Sequence, residues 1–327
     1  TKAEIAQYVT LTPTDVKKTY DGNVYAAGTA TASDTNGNDL KIEYQKADGS
    51  WTTNPSEITA TNVSDSKIVN VRVSAGNYEG YVNGTEELTI TARPITITGD
   101  GWASDQSYTG NEYKKTTYTV EEANAENTRG LVAGQTAEVA YELKGTNVGN
   151  YTGIFETAVI KNAEEDVTAN YTVTKTPGTL NIIKSAIENY INIYPVDVTE
   201  VYNGEAHAAG TATASDRNGN VLKIEYQKAD GSWTEDPSEI TATNVSESTT
   251  VNVRVSTENY DGYVTGTEKL TITPATLTVS TPIATKVYEG TPLTAAGTIS
   301  GFVNDETATF ATTGSQTEVG STANTYS

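Results

Sequence analysis

Few residues in this chain have the types and spacing that chemistry requires. His207 is the only histidine. A general base needs a positioned partner, none is identifiable around it, and a zinc site would need further nitrogen or sulfur ligands. The residue 182 positions earlier is Tyr25, so His207 reads as structural. Glycosidases need two carboxylates flanking a cleft. The adjacent pairs Glu86-Glu87, Glu121-Glu122 and Glu164-Glu165 would point to opposite faces of a strand, so they read as solvated surface. Asp34, Asn36, Asn38 and Asp39 crowd one turn, but the glycine comes too early for a calcium loop and no bidentate Glu follows; a hairpin turn is expected. What remains is aromatic. Trp51 beside Tyr44, Trp233 beside Tyr226, and Trp102 in the loop-like GDGWASD are the residues that could stack on a ligand. The catalytic, metal and cofactor sets are empty.

The elements that would position those aromatics are strands. The segment LKIEYQKADGSW occurs at 40–51 and again at 222–233, a period that marks a modular array. Leu40, Ile42 and Tyr44 alternate with polar residues, giving one apolar face. Asp48-Gly49 fits a two-residue turn. That turn sets Ala47 opposite Ser50 and Lys46 opposite Trp51, placing Trp51 on the Tyr44 side as a core residue capped by the lysine. The same register is expected for Tyr226, Lys228 and Trp233.

The chain has 327 residues, 36% of them hydrophobic, and a formal net charge of −21. An acidic surface disfavours nucleic acid and anionic membranes. Cysteine is absent, which excludes a disulfide framework and thiolate chemistry and fits a bacterial exported protein better than a eukaryotic secreted one. No apolar run is long enough to span a membrane, and the missing initiator Met and signal peptide lead us to expect a fragment of a longer protein. Asn-x-Ser/Thr triplets are expected from composition alone.

Four modules are expected: A1 (1–92), B1 (93–184), A2 (185–274) as a repeat of A1, and B2 (275–327). About seven short strands per A module, with no helical period, read as an Ig-like β-sandwich. The whole is thus expected to be all-β, tandem Ig-like β-sandwich modules in an extended rod, approaching about 150 Å end to end, with the B modules either sandwiches or β-grasp-like. Pro94 and Pro274 mark boundaries. Residues 121–129 are the one expected helical turn. B2 matches only the first part of B1, so it is expected to expose sheet edges or to be completed by a neighbour.

Through YTG at 108–110, GLVAGQTA at 130–137, NVGNY at 147–151, ANYTV at 169–173 and GTLNI at 178–182, B1 resembles the MBG/YDG-type repeats of bacterial surface proteins. B2 shares KVYEGTPLT at 286–294 and GFVNDETA at 301–308, and the A modules are similar to bacterial Ig-like repeats through NVRVSAGNYEGYVNGTEELTI at 70–90. The resemblance implies a large cell-surface adhesin, often of Gram-positive gut bacteria, and carries over no functional residue. We therefore expect a non-catalytic, monomeric stalk segment, extracellular and wall-associated through other parts of the protein. The alternative is a carbohydrate- or mucin-binding module, with host glycans, mucin or matrix protein as partners.

Overall fold

Alternation of β-branched and polar residues drives the chain into strands wherever it is sustained. In Lys67–Ser74, Val69, Val71 and Val73 are buried while the intervening side chains face outward. In Val82–Thr91 the inward positions are Gly84, Glu86, Leu88 and Ile90. The computed structural model describes residues 1–327, the side chain of Asn189 excepted. The chain is all-β, with three-residue 3-10 turns between strands. It folds as two compact units, one of Thr1–Gln106 with Asn111–Ile183 and one of Ser107–Gly110 with Lys184–Ser327.

In the first unit, a five-stranded sheet runs in the order Val16–Thr19, Val82–Thr91, Lys67–Ser74, Lys41–Gln45, Trp51–Thr52. The first pair is parallel and the others antiparallel. Short ladders cover its inner face: Val9–Thr12 with Thr31–Asp34, and Tyr25–Ala26 with Thr59–Ala60. This is the two-layer arrangement of an Ig-like sandwich. The same sheet recurs in the second unit as Val198–Val201, Val264–Thr273, Thr249–Ser256, Lys223–Gln227 and Trp233–Thr234.

Residues 93–183 are built differently. Arg93–Gly99 lies between Tyr118–Val120, antiparallel, and Tyr171–Thr176, parallel. A second sheet joins Tyr113–Lys115, Thr136–Gly145, Ile154–Asn162 and Glu165–Asp166. The expected helical turn at 121–129 does not form. Asn124 instead caps a loop, accepting from the backbone N–H groups of Thr128 and Arg129, and Asn127 takes φ 52°.

The hairpin register also differs from expectation. Tyr44 pairs with Thr52 and Gln45 with Trp51. Lys46 N–H donates to Ser50 O, and Gly49 N–H returns to Lys46 O. Three residues, ending in Gly49 at φ 86°, form the loop, the geometry of a turn closed by a glycine bulge. A one-residue slip sends a side chain to the opposite face. Trp51 therefore lies on the outer face with Glu43 and Gln45, and the second copy repeats this, Gln227 pairing with Trp233.

In the last segment, Thr278–Ser280 pairs with Thr298–Ser300. Ile283, Val287, Val319 and Tyr288 there remain exposed.

Candidate functional site

The register places an aromatic cluster on the outer face of each five-stranded sheet. Arg72, on the central strand, lays its guanidinium over Trp51 at 4.0 Å and over Tyr81 at 4.2 Å. Its Nε and Nη2 both donate to Glu43 Oε2 at 2.9 Å, and Lys41 Nζ reaches Glu43 Oε1 at 2.7 Å. The hydrogen bond from Lys41, with those from Arg72, holds the Glu43 carboxyl below its ordinary range. In the second copy Arg254 sits 4.0 Å from Trp233 and 4.3 Å from Tyr263 and donates to Glu225 at 2.8 Å. Burial pushes Glu225 up, but the bonds from Arg254 and Lys223 outweigh it. A cation held between two rings is favourable electrostatically and covers apolar ring surface. It also occupies one face of each ring.

The other aromatic candidates separate from these. Tyr44 and Tyr226 are each 2% exposed, their hydroxyls accepting from the Ala30 and Ala212 N–H groups at 2.8 Å. They are core residues and present no surface to a ligand, which corrects their place among the candidates. Trp102 belongs to another part of the fold. Its backbone N–H donates to Thr179 O, Lys115 Nζ covers its ring at 4.7 Å, and Tyr113 meets it edge-on at 5.9 Å.

The remaining polar candidates are structural. His207 Nε2 lies 2.9 Å from Asn203 Oδ1, a partner that supplies no charge for acid–base work. Asp34 accepts from Asn38 and from Tyr78 Oη, so its oxygens close the turn. Among the described residues no group of three His, Cys, Asp or Glu is placed to hold a metal ion. Glu86 overturns the surface reading of its pair. It is 1% exposed, Oε2 accepts from Thr14 N–H at 3.3 Å, and Oε1 has no hydrogen-bond partner. Burial pushes its carboxyl up against the pull of the Thr14 and Gly28 amides. Glu268 repeats the arrangement.

The feature that sequence reasoning missed is a joint inside the first unit. Arg93 is 0% exposed. Its Nε donates to Gly130 O at 2.6 Å, Nη1 to Tyr20 O and Asn127 O, and Nη2 to Asn127 Oδ1 and Arg129 O. Tyr20 meets Tyr171 edge-on at 5.5 Å. Gln135 bridges them, donating to Tyr20 Oη at 2.8 Å and accepting from Tyr171 Oη at 2.6 Å. Asn170 accepts from Val63 N–H and donates to Asn62 Oδ1, both at 2.8 Å. Residues from 20 to 90 and from 95 to 171 share one continuous core here.

The chain is thus an all-β protein of tandem Ig-like β-sandwich modules, a class fixed by the strand order itself. At low identity and low TM-score it is similar to solved multi-domain structures. Sidekick-1 immunoglobulin domains 1–5 match at 12% identity over 89% of this chain and 66% of that one, with a TM-score of 0.23. The titin I-band fragment I67–I69 matches at 11% over 81% and 98%, with a TM-score of 0.27. Drosophila OTK extracellular domains 3–5 match at 11% over 84% and 100%, with a TM-score of 0.22. No protein-family model and no curated protein sequence matches the chain.

Proposed function

We propose that this chain is a non-catalytic structural segment of a bacterial surface adhesin, an extracellular stalk that carries attachment functions located elsewhere in the protein. The observation that carries the reading is the Arg93 joint. A guanidinium caged by four carbonyl oxygens and a side-chain amide, beside a Tyr–Gln–Tyr bridge, makes two successive modules share one core. Such a joint resists bending and local opening, which is what a stalk requires. The polar clusters support the same reading, because their charges are paired with one another rather than directed into a cleft. Likeness of the 130–137 and 169–173 motifs to surface-protein repeats supplies the bacterial and wall-associated part.

The test is a binding panel of glycans, mucin and extracellular-matrix proteins, run with the full chain and with Trp102→Ala. The expected result is no saturable binding by either. Saturable binding lost in Trp102→Ala would replace this reading with that of a carbohydrate- or mucin-binding module. Saturable binding that persists would place an attachment site on another face and likewise overturn the stalk assignment.

A further inference from the structure

Four Asn-Gly steps occur in the chain, at 36–37, 83–84, 203–204 and 218–219. Glycine hinders least the attack of its own backbone nitrogen on the preceding Asn side chain, so each step could deamidate. The structure separates them. Asn83-Gly84 lies inside the strand Val82–Thr91, where Gly84 pairs with Val71. At 36–37 and 218–219 the glycine N–H is engaged, Gly37 with Asp34 O at 3.3 Å and Gly219 with Asp216 O at 3.4 Å. The amide nitrogens that would leave are held as well, Asn36 Nδ2 donating to Tyr78 Oη at 2.9 Å and Asn218 Nδ2 to Tyr260 Oη at 2.7 Å.

Asn203 differs. It is exposed, Gly204 takes φ 77°, and among the described residues Gly204 N–H has no hydrogen-bond partner. Two donors converge on the side-chain oxygen of Asn203 instead. Glu205 N–H donates to Oδ1 at 2.9 Å, and His207 Nε2 lies 2.9 Å from the same atom. A backbone N–H can only donate, which fixes this atom as the carbonyl oxygen. His207 Nε2 must therefore carry a proton and donate too.

We propose that Asn203 is a self-modification site, converted through a succinimide to aspartate and isoaspartate with His207 as the catalytic donor. The Gly204 backbone nitrogen bonds to Asn203 Cγ, and the carbonyl electron pair moves onto Oδ1. The Glu205 and His207 donors already meet that oxygen, the arrangement that stabilises an oxyanion in acyl transfer. The oxyanion collapses, the Cγ–Nδ2 bond breaks, and Nδ2 leaves as ammonia with the proton given up by the Gly204 nitrogen. Water then adds to either ring carbonyl and breaks its bond to that nitrogen, which regains a proton. Opening at Cγ gives aspartate, and opening at the Asn203 backbone carbonyl gives isoaspartate. The fold already accommodates the first product. The residue one repeat earlier is Asp21, whose carboxylate accepts from Asn23 N–H at 2.9 Å and from Tyr25 Oη at 2.6 Å, and Tyr25 is the counterpart of His207.

The test incubates the full chain near neutral pH and follows each Asn-Gly step by peptide mapping, which separates the Asn, Asp and isoAsp forms. Asn203 should convert first, at least about threefold faster than Asn36 or Asn218, as one additional hydrogen bond to the reacting oxygen allows. Asn83 should convert last. His207→Phe should slow Asn203 roughly threefold to tenfold, what one exposed hydrogen bond contributes, and leave Asn36 and Asn218 unchanged. His207→Tyr supplies the hydroxyl donor found at Tyr25 and should convert within about twofold of the unaltered chain. Conversion of Asn203 no faster than that of Asn36 or Asn218 overturns the proposal, and this comparison is made in the unaltered chain, so it stands even where a variant misfolds. An unchanged Asn203 rate in His207→Phe overturns it too. Equal slowing in His207→Phe and His207→Tyr would make the effect one of packing and overturn the role of His207.

Discussion

Replacing Glu86 by Gln should stabilise its module at neutral pH and leave it nearly unchanged in acid. The side chain lies at an inward position of Val82–Thr91, between Gly84 and Leu88, with one carboxylate oxygen lacking a partner. Burial raises its pKa above the ordinary carboxylate value. A folded-state pKa above the unfolded one means that folding favours the protonated acid. The contribution of Glu86 to stability is therefore fully present below the unfolded value and is lost as pH rises through the folded one. Gln keeps an acceptor for the Thr14 and Gly28 amides and never ionises. The gain at pH 7 should be about 1–2 kcal/mol, within the range for leaving a buried polar group unsatisfied. That corresponds to roughly a fivefold to thirtyfold rise in amide protection. Exchange at Val71 and Leu88 reads it, with Val253 and Leu270 around the unaltered Glu268 as internal reference. The multi-module chain makes a single unfolding midpoint unsuitable. A loss of protection at pH 7 that fades at pH 4 would refute the reasoning, since it would mean that the ionised carboxylate is required for folding. Glu86→Leu provides the contrast: it removes the acceptor and should destabilise at every pH.

Other outcomes follow from the same geometry. Arg93→Met should orphan the buried Gly130 and Tyr20 carbonyls and cost roughly 2–6 kcal/mol, with exchange accelerating on both sides of the joint rather than in one module. Arg72→Ala should uncover Trp51, seen as a red-shifted emission and increased quenching by acrylamide, at a cost of about 1–2 kcal/mol. Gly28→Ala should prevent normal packing of the first sandwich, because a Cβ there would lie 1.8 Å from Thr14 O; loss of protection at Val69–Val73 checks it. Gly49→Ala, at φ 86°, should cost about 1 kcal/mol or more without changing the sheet, measured by the same exchange experiment.

Sequence alternation was sufficient to place the strand around Val69, Val71 and Val73 and to assign the all-β class. The hairpin at 40–51 was legible as a hairpin, but its register was not. Asp48-Gly49 fits both a two-residue turn and a three-residue loop with a bulge, and the choice depends on which carbonyl Gly49 N–H meets. A two-residue turn puts Trp51 on the apolar face under Lys46; the three-residue loop puts it on the outer face, where Arg72 covers it. Glu86 shows a signal that was present and overridden: it shares the parity of Leu88 and Ile90, which marks it as inward, yet its charge suggested solvent. Arg93 carried no local signal. It sits next to a proline at an apparent boundary, and its carbonyl partners lie more than thirty residues away in the chain or farther. The loop at 121–129 read as helical for the same reason, since its carbonyls are committed to that arginine.

The two copies of LKIEYQKADGSW form hairpins of identical register, so a strand from one sandwich would fit the other's sheet equally well. Chains with adjacent near-identical domains are prone to such exchange while folding. Here a dissimilar module is synthesised between the copies. At ordinary elongation rates the first hairpin emerges roughly 10–40 s before the second, long enough for its sandwich to close around its own strands. Alternation thus gives the array repetition without interchangeable neighbours, and it predicts that removing residues 93–184 would produce a chain with misassembled sheets even though each A module kept its full sequence.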